Sequence, residues 1–340
     1  MHRLFVFLIA LMVFSAGGPV FLHAQTTGVG TELVVGVTPE HPRPGESIVV
    51  SVESYNIDLN RAEVQWFVND KLVKTGAGIK HLTVTAGRSG ETTTVRIITI
   101  GENGNIYSAN VIIRPAEVNL LWQAQSYTPP FYRGKALMPY QGTVLVAAMP
   151  SFTRGKSTMS PNSLIYTWKE GDDVIGDSSG KGKSLFIFRG SIPLRTKTIS
   201  VLVESPDRTM SAEASIDISP VAPRLLFYEN HPRYGLLSAR ALGKTFTLEE
   251  DETRVDAIPY YFESPTRTGS DFVYEWQMNY NPIITEKDPF LILRRSSNEA
   301  GRTNLFLEVK SSDEQKTFQA AEAGLIIEFP QKGFEVTPTQ

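Results

Sequence analysis

LIYTWKEGDDVIGD, residues 164–177, is the stretch on which the fold turns. An apolar run leads into Trp168 and then breaks into an acidic turn that contains Gly171. The pattern recurs in AEVQWFVNDKLV around Trp66 and in FVYEWQMNYNPI around Trp276. The spacings are 168 − 66 = 102 and 276 − 168 = 108 residues, the size of one β-sandwich domain. We therefore read three tandem copies of one fold, with Trp66, Trp168 and Trp276 as core residues.

The segments on either side of each tryptophan repeat as well. In the first copy Pro42, Pro44 and Gly45 make a turn, after which Ile48, Val50 and Val52 alternate with Val49, Ser51 and Glu53 as in a half-buried strand. TTTVRIITIGENGNIYSANVIIRP follows as two β-rich runs joined at Asn103-Gly104, a strong hairpin signal. In the second copy Ser205-Pro206-Asp207-Arg208 stands at the equivalent turn. A proline closes each unit at Pro115, Pro220 and Pro330, which lie 49, 52 and 54 positions after their tryptophans. LLW (120–122) aligns with LLF (225–227), and Lys135-Ala136-Leu137 with Arg240-Ala241-Leu242. Residues 313–323 have a helical composition, but the matching RTMSAEASIDIS is β-like, and the repeat decides for strand. The expected domains are 32–115, 116–220 and 221–330, with short proline-marked linkers at 115–118 and 220–224 and a mobile tail at 331–340. Such an array is expected to be semi-rigid and elongated.

Bulk composition narrows the function classes. The 340 residues are 41% hydrophobic and 20% charged, as in globular rather than disordered chains. A net charge of −3 and the lack of any basic run leave no footprint for nucleic acid. Met1-His2-Arg3, the apolar core at 4–14, the Gly17-Gly18-Pro19 break and Ala24 read as an export signal over residues 1–24, with cleavage before Gln25. An uncleaved anchor is the alternative, and the only membrane contact expected. The chain has no cysteine, so disulfides, thiol catalysis and Cys-type zinc sites are excluded, and its cores must be held by hydrophobic burial.

A Trp on an inner strand, the PGESIVVSV opening and units of about 100 residues resemble bacterial immunoglobulin-like domains. YTWKEGDD is similar to the YxWDFGDG segment of PKD-type domains, although its Phe-Gly-Asp-Gly portion is not kept. The resemblance covers residues 32–330 and implies all-β architecture: three tandem Ig-like or PKD-like antiparallel sandwiches behind a signal peptide. Families of this kind include adhesins, stalks, enzyme-appended modules and pilus components, so fold does not choose a function.

Several motifs invite a chemical reading. Gly176-Asp177-Ser178-Ser179-Gly180 matches G-x-S-x-G, but a strand-like SLFIF follows it, and the only histidines after residue 24 are His41, His81 and His231. A nucleophile elbow needs a following helix and a base, so we read a hairpin loop. Gly155-Lys156-Ser157 and Gly182-Lys183-Ser184 are similar to the end of a phosphate loop but lack its first glycine and its helix. Asp172, Asp173 and Asp177, and Glu249 to Glu252, lack the alternating spacing of a calcium loop. No His pair is spaced to hold zinc. No cofactor is expected.

The remaining candidate is aromatic. Trp122, Tyr127, Phe131, Tyr132 and Arg133, near Pro129-Pro130 and Tyr140, form a candidate partner or interdomain surface. Because LLFYENHPRY repeats the pattern, we favour interdomain packing, in which a buried Trp122 replaced by Ala costs roughly 3–5 kcal/mol. The expected function is a non-enzymatic, exported spacer, adhesion or assembly component of the cell envelope or extracellular space. Its expected partners are other envelope or extracellular proteins or a second copy of itself. The alternative is a polysaccharide- or protein-binding module using exposed aromatics.

Overall fold

A computed structural model describes residues 33–101, 104–268, 270–283 and 288–331. The export signal, Asn103 of the first hairpin turn and the tail beyond residue 331 lie outside the described residues. Strands make up nearly all the regular structure, interrupted by two three-residue helical turns at Pro161–Ser163 and Gly176–Ser178. No helix among the described residues is long and apolar enough to cross a membrane.

Seven strands build the first sandwich: β1 (Val34–Thr38), β2 (Ser47–Glu53), β3 (Glu63–Val68), β4 (Lys71–Ala77), β5 (His81–Thr85), β6 (Thr93–Ile100) and β7 (Ile106–Ile113). They form one sheet of order β1-β2-β5 and another of order β4-β3-β6-β7, antiparallel throughout. The second sandwich repeats this with β8 (Glu117–Ala124), β9 (Thr143–Ser151), β10 (Ile165–Glu170), β11 (Asp173–Val174), β12 (Leu185–Arg189), β13 (Lys197–Glu204) and β14 (Ser211–Ile218). Its sheets are β12-β9-β8 and β11-β10-β13-β14. The third uses β15 (Arg224–His231), β16 (Glu252–Tyr260), β17 (Phe272–Met278), β18 (Asn281–Pro282), β19 (Phe290–Arg294), β20 (Gly301–Ser311) and β21 (Ala320–Phe329), paired as β15-β16-β19 and β18-β17-β20-β21. An extra strand at Thr245–Thr247 lies parallel to β21. Strand n of the first copy thus corresponds to strand n + 7 and strand n + 14. The fold is three tandem immunoglobulin-like β-sandwiches.

The register explains the repeated sequence. Trp66, Trp168 and Trp276 are buried on the equivalent strands β3, β10 and β17. Trp168 stacks on Phe186 (5.5 Å between ring centroids) and Trp276 on Phe227 (5.8 Å). Three positions after each Trp the hairpin turns: at Asn69-Asp70 and Asn279-Tyr280 both residues have positive φ, and at Gly171 φ is +60°. Asn and Gly tolerate that conformation best. Asn69 and Asn279 also accept, through Oδ1, the N–H of Thr94 and Asn304 respectively, each at 2.9 Å. The acidic break after Trp168 is therefore a β-hairpin turn.

Each sandwich has its own apolar core, running from Leu33 to Ile113, from Ala116 to Ile218 and from Leu225 to Ile327. The chain divides into two compact units, Met1–Gly87 with Glu91–Arg114 and Arg88–Gly90 with Pro115–Gln340, and the second unit holds both the second and third sandwiches. One sequence expectation changes here. Ala116 and Val118 are buried core residues of the second sandwich, not linker. Within 220–224 the Val221 N–H donates to the Met138 carbonyl at 2.9 Å.

Candidate functional site

The aromatic segment lies in the β8–β9 connection of the second sandwich and faces the outer surface of the β15-β16-β19 sheet of the third. Tyr127 is buried with Tyr228, Ile258 and Tyr260, and Phe131 and Tyr132 pack against the same group. Phe131 meets Tyr228 at 5.4 Å and Tyr132 meets Tyr260 edge-on at 5.9 Å. Steeply tilted and edge-on contacts of this kind are favoured over a face-to-face sandwich. The Tyr228 and Tyr260 hydroxyls are 2.9 Å apart, and burial pushes the Tyr260 hydroxyl well above the ordinary phenol value. The Tyr127 N–H donates to the Phe262 carbonyl at 2.9 Å.

Arg133 is exposed, and Trp122 stands apart from the joint. Trp122 is half-buried on β8 against the core of its own sandwich, and the Lys135 ammonium sits 3.4 Å from its ring centroid. Partial burial pushes the Lys135 pKa down. The sequence grouped five residues as one surface. The structure brings Tyr127, Phe131 and Tyr132 together and separates Trp122 and Arg133 from them.

Polar side chains complete the joint. Gln141, held at φ +56°, donates through Nε2 to the Gln315 carbonyl at 2.7 Å and accepts through Oε1 the Phe318 N–H at 3.0 Å. Gln319 donates to the Tyr140 carbonyl (2.7 Å) and accepts the Glu263 N–H (2.9 Å). The Glu263 carboxylate accepts the Thr143 N–H at 2.9 Å and pairs with Lys316 at 3.0 Å and Arg189 at 3.3 Å. Burial works to raise the Glu263 pKa, but the Thr143 and Lys316 contacts outweigh it and hold the group below its ordinary value. Beneath the aromatic residues Asp256 is fully buried, held by Arg254 (2.8 Å), Arg267 (3.4 Å) and Asn230 (2.8 Å). A buried charge is tolerated only with such partners.

None of Gln141, Glu263, Asp256, Lys316 or Gln319 was legible as a site in the sequence. One signal existed for Asp256: RVDAIPYYF interrupts a nearly continuous apolar run with one carboxylate, and such runs mark strands covered on both faces.

The catalytic lures resolve into structure. Gly176–Ser178 is a helical turn, and the Ser179 hydroxyl donates to the Ile175 carbonyl (2.8 Å) while accepting the Trp168 N–H (2.9 Å). His231 caps a turn, its Nδ1 accepting the Arg233 N–H at 3.1 Å. Asp172, Asp173, Asp177 and Glu249 to Glu252 are exposed, and among the described residues no three His, Asp or Glu side chains converge to hold a metal ion.

No family model and no curated protein matches the chain. Among solved structures it is similar to the three N-terminal domains of the bacteriophage RB49 highly immunogenic outer capsid protein, at 12% identity over 88% of this chain and 99% of that one, with a TM-score of 0.27. It is similar to the fibronectin(III)-like modules of Clostridium thermocellum CbhA, at 12% identity over 55% of this chain and 94% of that one, with a TM-score of 0.26. A third is Bacteroides ovatus SGBP-B in complex with a mixed-linkage heptasaccharide, at 10% identity over 84% and 64%, with a TM-score of 0.21. At these TM-scores the likenesses carry no argument about function, and the fold rests on the strand pairing above.

Proposed function

We propose that the chain is an exported, non-enzymatic structural or adhesion component of the cell envelope or extracellular space, of the bacterial Ig-like and PKD-like type. It acts as a multi-domain spacer or assembly element through protein–protein contacts. The observation that carries this reading is the joint: the aromatic residues best suited to a ligand surface, Tyr127, Phe131 and Tyr132, are spent fixing one sandwich to the next. A side-chain set built to hold two domains in one relation serves a mechanical role more directly than recognition of a small ligand. Export is supported by the apolar segment at 4–14 with Ala24 after it. A non-enzymatic role is supported by the G-x-S-x-G segment, whose Ser178 ends a three-residue helical turn that leads on to strand β12 instead of the helix of a nucleophile elbow.

In-cell crosslinking of the tagged protein, followed by fractionation and identification of attached chains, tests the proposal. A defined envelope or filament protein attached to an exported chain is expected. Recovery as a free monomer that is retained on a glycan array overturns it in favour of a carbohydrate-binding module.

A further inference from the structure

The three copies offer three equivalent surfaces, the outer faces of β1-β2-β5, β8-β9-β12 and β15-β16-β19, and their chemistry differs. On the first, the outward positions of β2 and β5 are mainly polar: Ser47, Ser51, Thr83 and Thr85 beside Val49. On the third they are mixed: Tyr228, Ile258 and Tyr260 form an aromatic and apolar part that the Tyr127–Tyr132 segment buries, beside the charged Arg254, Asp256 and Arg294. The second face is also apolar but is uncovered. Leu121, Leu145, Met149, Leu185 and Ile187 are between 37% and 61% exposed.

These side chains form one contiguous field. Leu121 and Leu185 flank Ala147, Ile187 is opposite Leu145, and Met149 is opposite Asn119. At its lower end the field runs into the established joint, because the Thr143–Arg189 pair of the register is the pair that holds Glu263. Contiguous exposed apolar surface on a soluble domain marks an interaction site. On the equivalent face of the third sandwich, the aromatic and apolar part is covered. The aromatic segment that does the covering is already seated on the third sandwich.

Charge placement selects the occupant. The only ionisable residues at outward strand positions of this face are Glu117, where β8 begins opposite Ser151, and Arg189, where β12 ends opposite Thr143. Since β8 and β12 flank β9 on opposite sides, the two charges stand at diagonal corners of the apolar field. A two-fold axis in the contact plane brings each Glu117 against the Arg189 of the other copy while the apolar rows meet between them. That is the self-complementarity of an isologous contact, in which residue i meets j and j meets i.

We propose that the outer face of β8-β9-β12 pairs two copies of this chain, face to face, through Leu121, Leu145, Met149, Leu185 and Ile187 with Glu117–Arg189 at both ends. The proposal deepens the assembly reading and rests on it for the premise that the chain works through protein contacts. Sheets packed this way interdigitate their side chains across about 10 Å, which these unbranched and branched aliphatic residues fill.

Analytical ultracentrifugation of the purified chain from Gln25 to Gln340, over a concentration series, tests the pairing. A monomer–dimer equilibrium is expected. Ile187→Lys should weaken it at least about tenfold, by burying an unpaired ammonium in an apolar contact, with a melting temperature unchanged at dilutions where parent and variant are both monomeric, because the side chain faces solvent there. Glu117→Arg should also weaken it, by placing like charges opposite each other at both ends of the contact. A chain that stays monomeric at every concentration, or a dimer indifferent to Ile187→Lys, overturns the proposal. A purified monomer together with in-cell capture of a different envelope protein overturns the pairing and leaves the assembly reading standing.

Discussion

The indole N–H of Trp168 donates to the Lys183 carbonyl at 2.9 Å, tying the sheet that carries β10 to the segment that leads into edge strand β12 of the other. Trp66 makes the same bond to Ile79 (2.9 Å) and Trp276 to Asp288 (3.0 Å). In each copy the acceptor lies two residues before the edge strand, which begins at His81, Leu185 or Phe290. The repeated tryptophan is therefore a cross-sandwich tie as well as core filling. Trp168→Ala is expected to cost about 3–5 kcal/mol. Trp168→Phe keeps most of the volume but orphans the Lys183 carbonyl, costing about 1–3 kcal/mol. Urea unfolding measures both, and a Phe variant as stable as the parent would refute the tie.

Trp122 behaves differently because it is half-buried and lies outside the joint. Its replacement by Ala is expected to cost about 1–2 kcal/mol, less than full burial would imply. Lys135→Ala should cost up to about 1 kcal/mol through loss of the cation–π contact. Neither change should loosen the second sandwich from the third. Hydrogen exchange at Tyr127 and Val221 reads that directly.

Glu263 makes the joint sensitive to acid. Its pKa is held below its ordinary value of 4.5, so its contribution is fully present above that pH and is lost as pH falls through the lower folded-state value. At pH 7 Glu263→Gln should cost about 2–3 kcal/mol, since it leaves the Lys316 ammonium poorly partnered. The gap between parent and variant should close as the pH drops below 4.5. Thermal melts at pH 7 and pH 3 check the sign. A gap that widens in acid contradicts it.

Gln141 reaches across the joint with both ends of its amide. Gln141→Ala removes both bonds and should cost about 1–3 kcal/mol. Faster hydrogen exchange confined to residues 315–319 is the expected signature, with the cores of both sandwiches unaffected.

Ser179 is expected to matter for stability rather than for catalysis. Ser179→Ala strands the Trp168 N–H and should destabilise the second sandwich by about 1–2 kcal/mol. A fluorophosphonate probe should label neither Ser178 nor Ser179. Stoichiometric labelling would reopen the hydrolase reading.

The all-β class, the threefold repeat and the core tryptophans were legible because they are local and periodic. Alternation in SIVVSVE records one buried face, and the turn three residues after each Trp records a hairpin whose backbone tolerates few residue types. These constraints act within about ten residues of chain, so the sequence alone determines them. The joint is different in kind. Gln141 meets residues 174 and 177 positions away, and Thr143 meets Glu263 at 120. Nothing near Gln141 or Glu263 distinguishes them from surface polar residues. Only the docking of two finished sandwiches decides that the carboxylate is buried, that Tyr127 is covered and that Leu121 and Ile187 are left bare. A sheet face looks the same in sequence whether its outer side meets a neighbouring domain or solvent, because the period of two reports alternation and not what stands opposite.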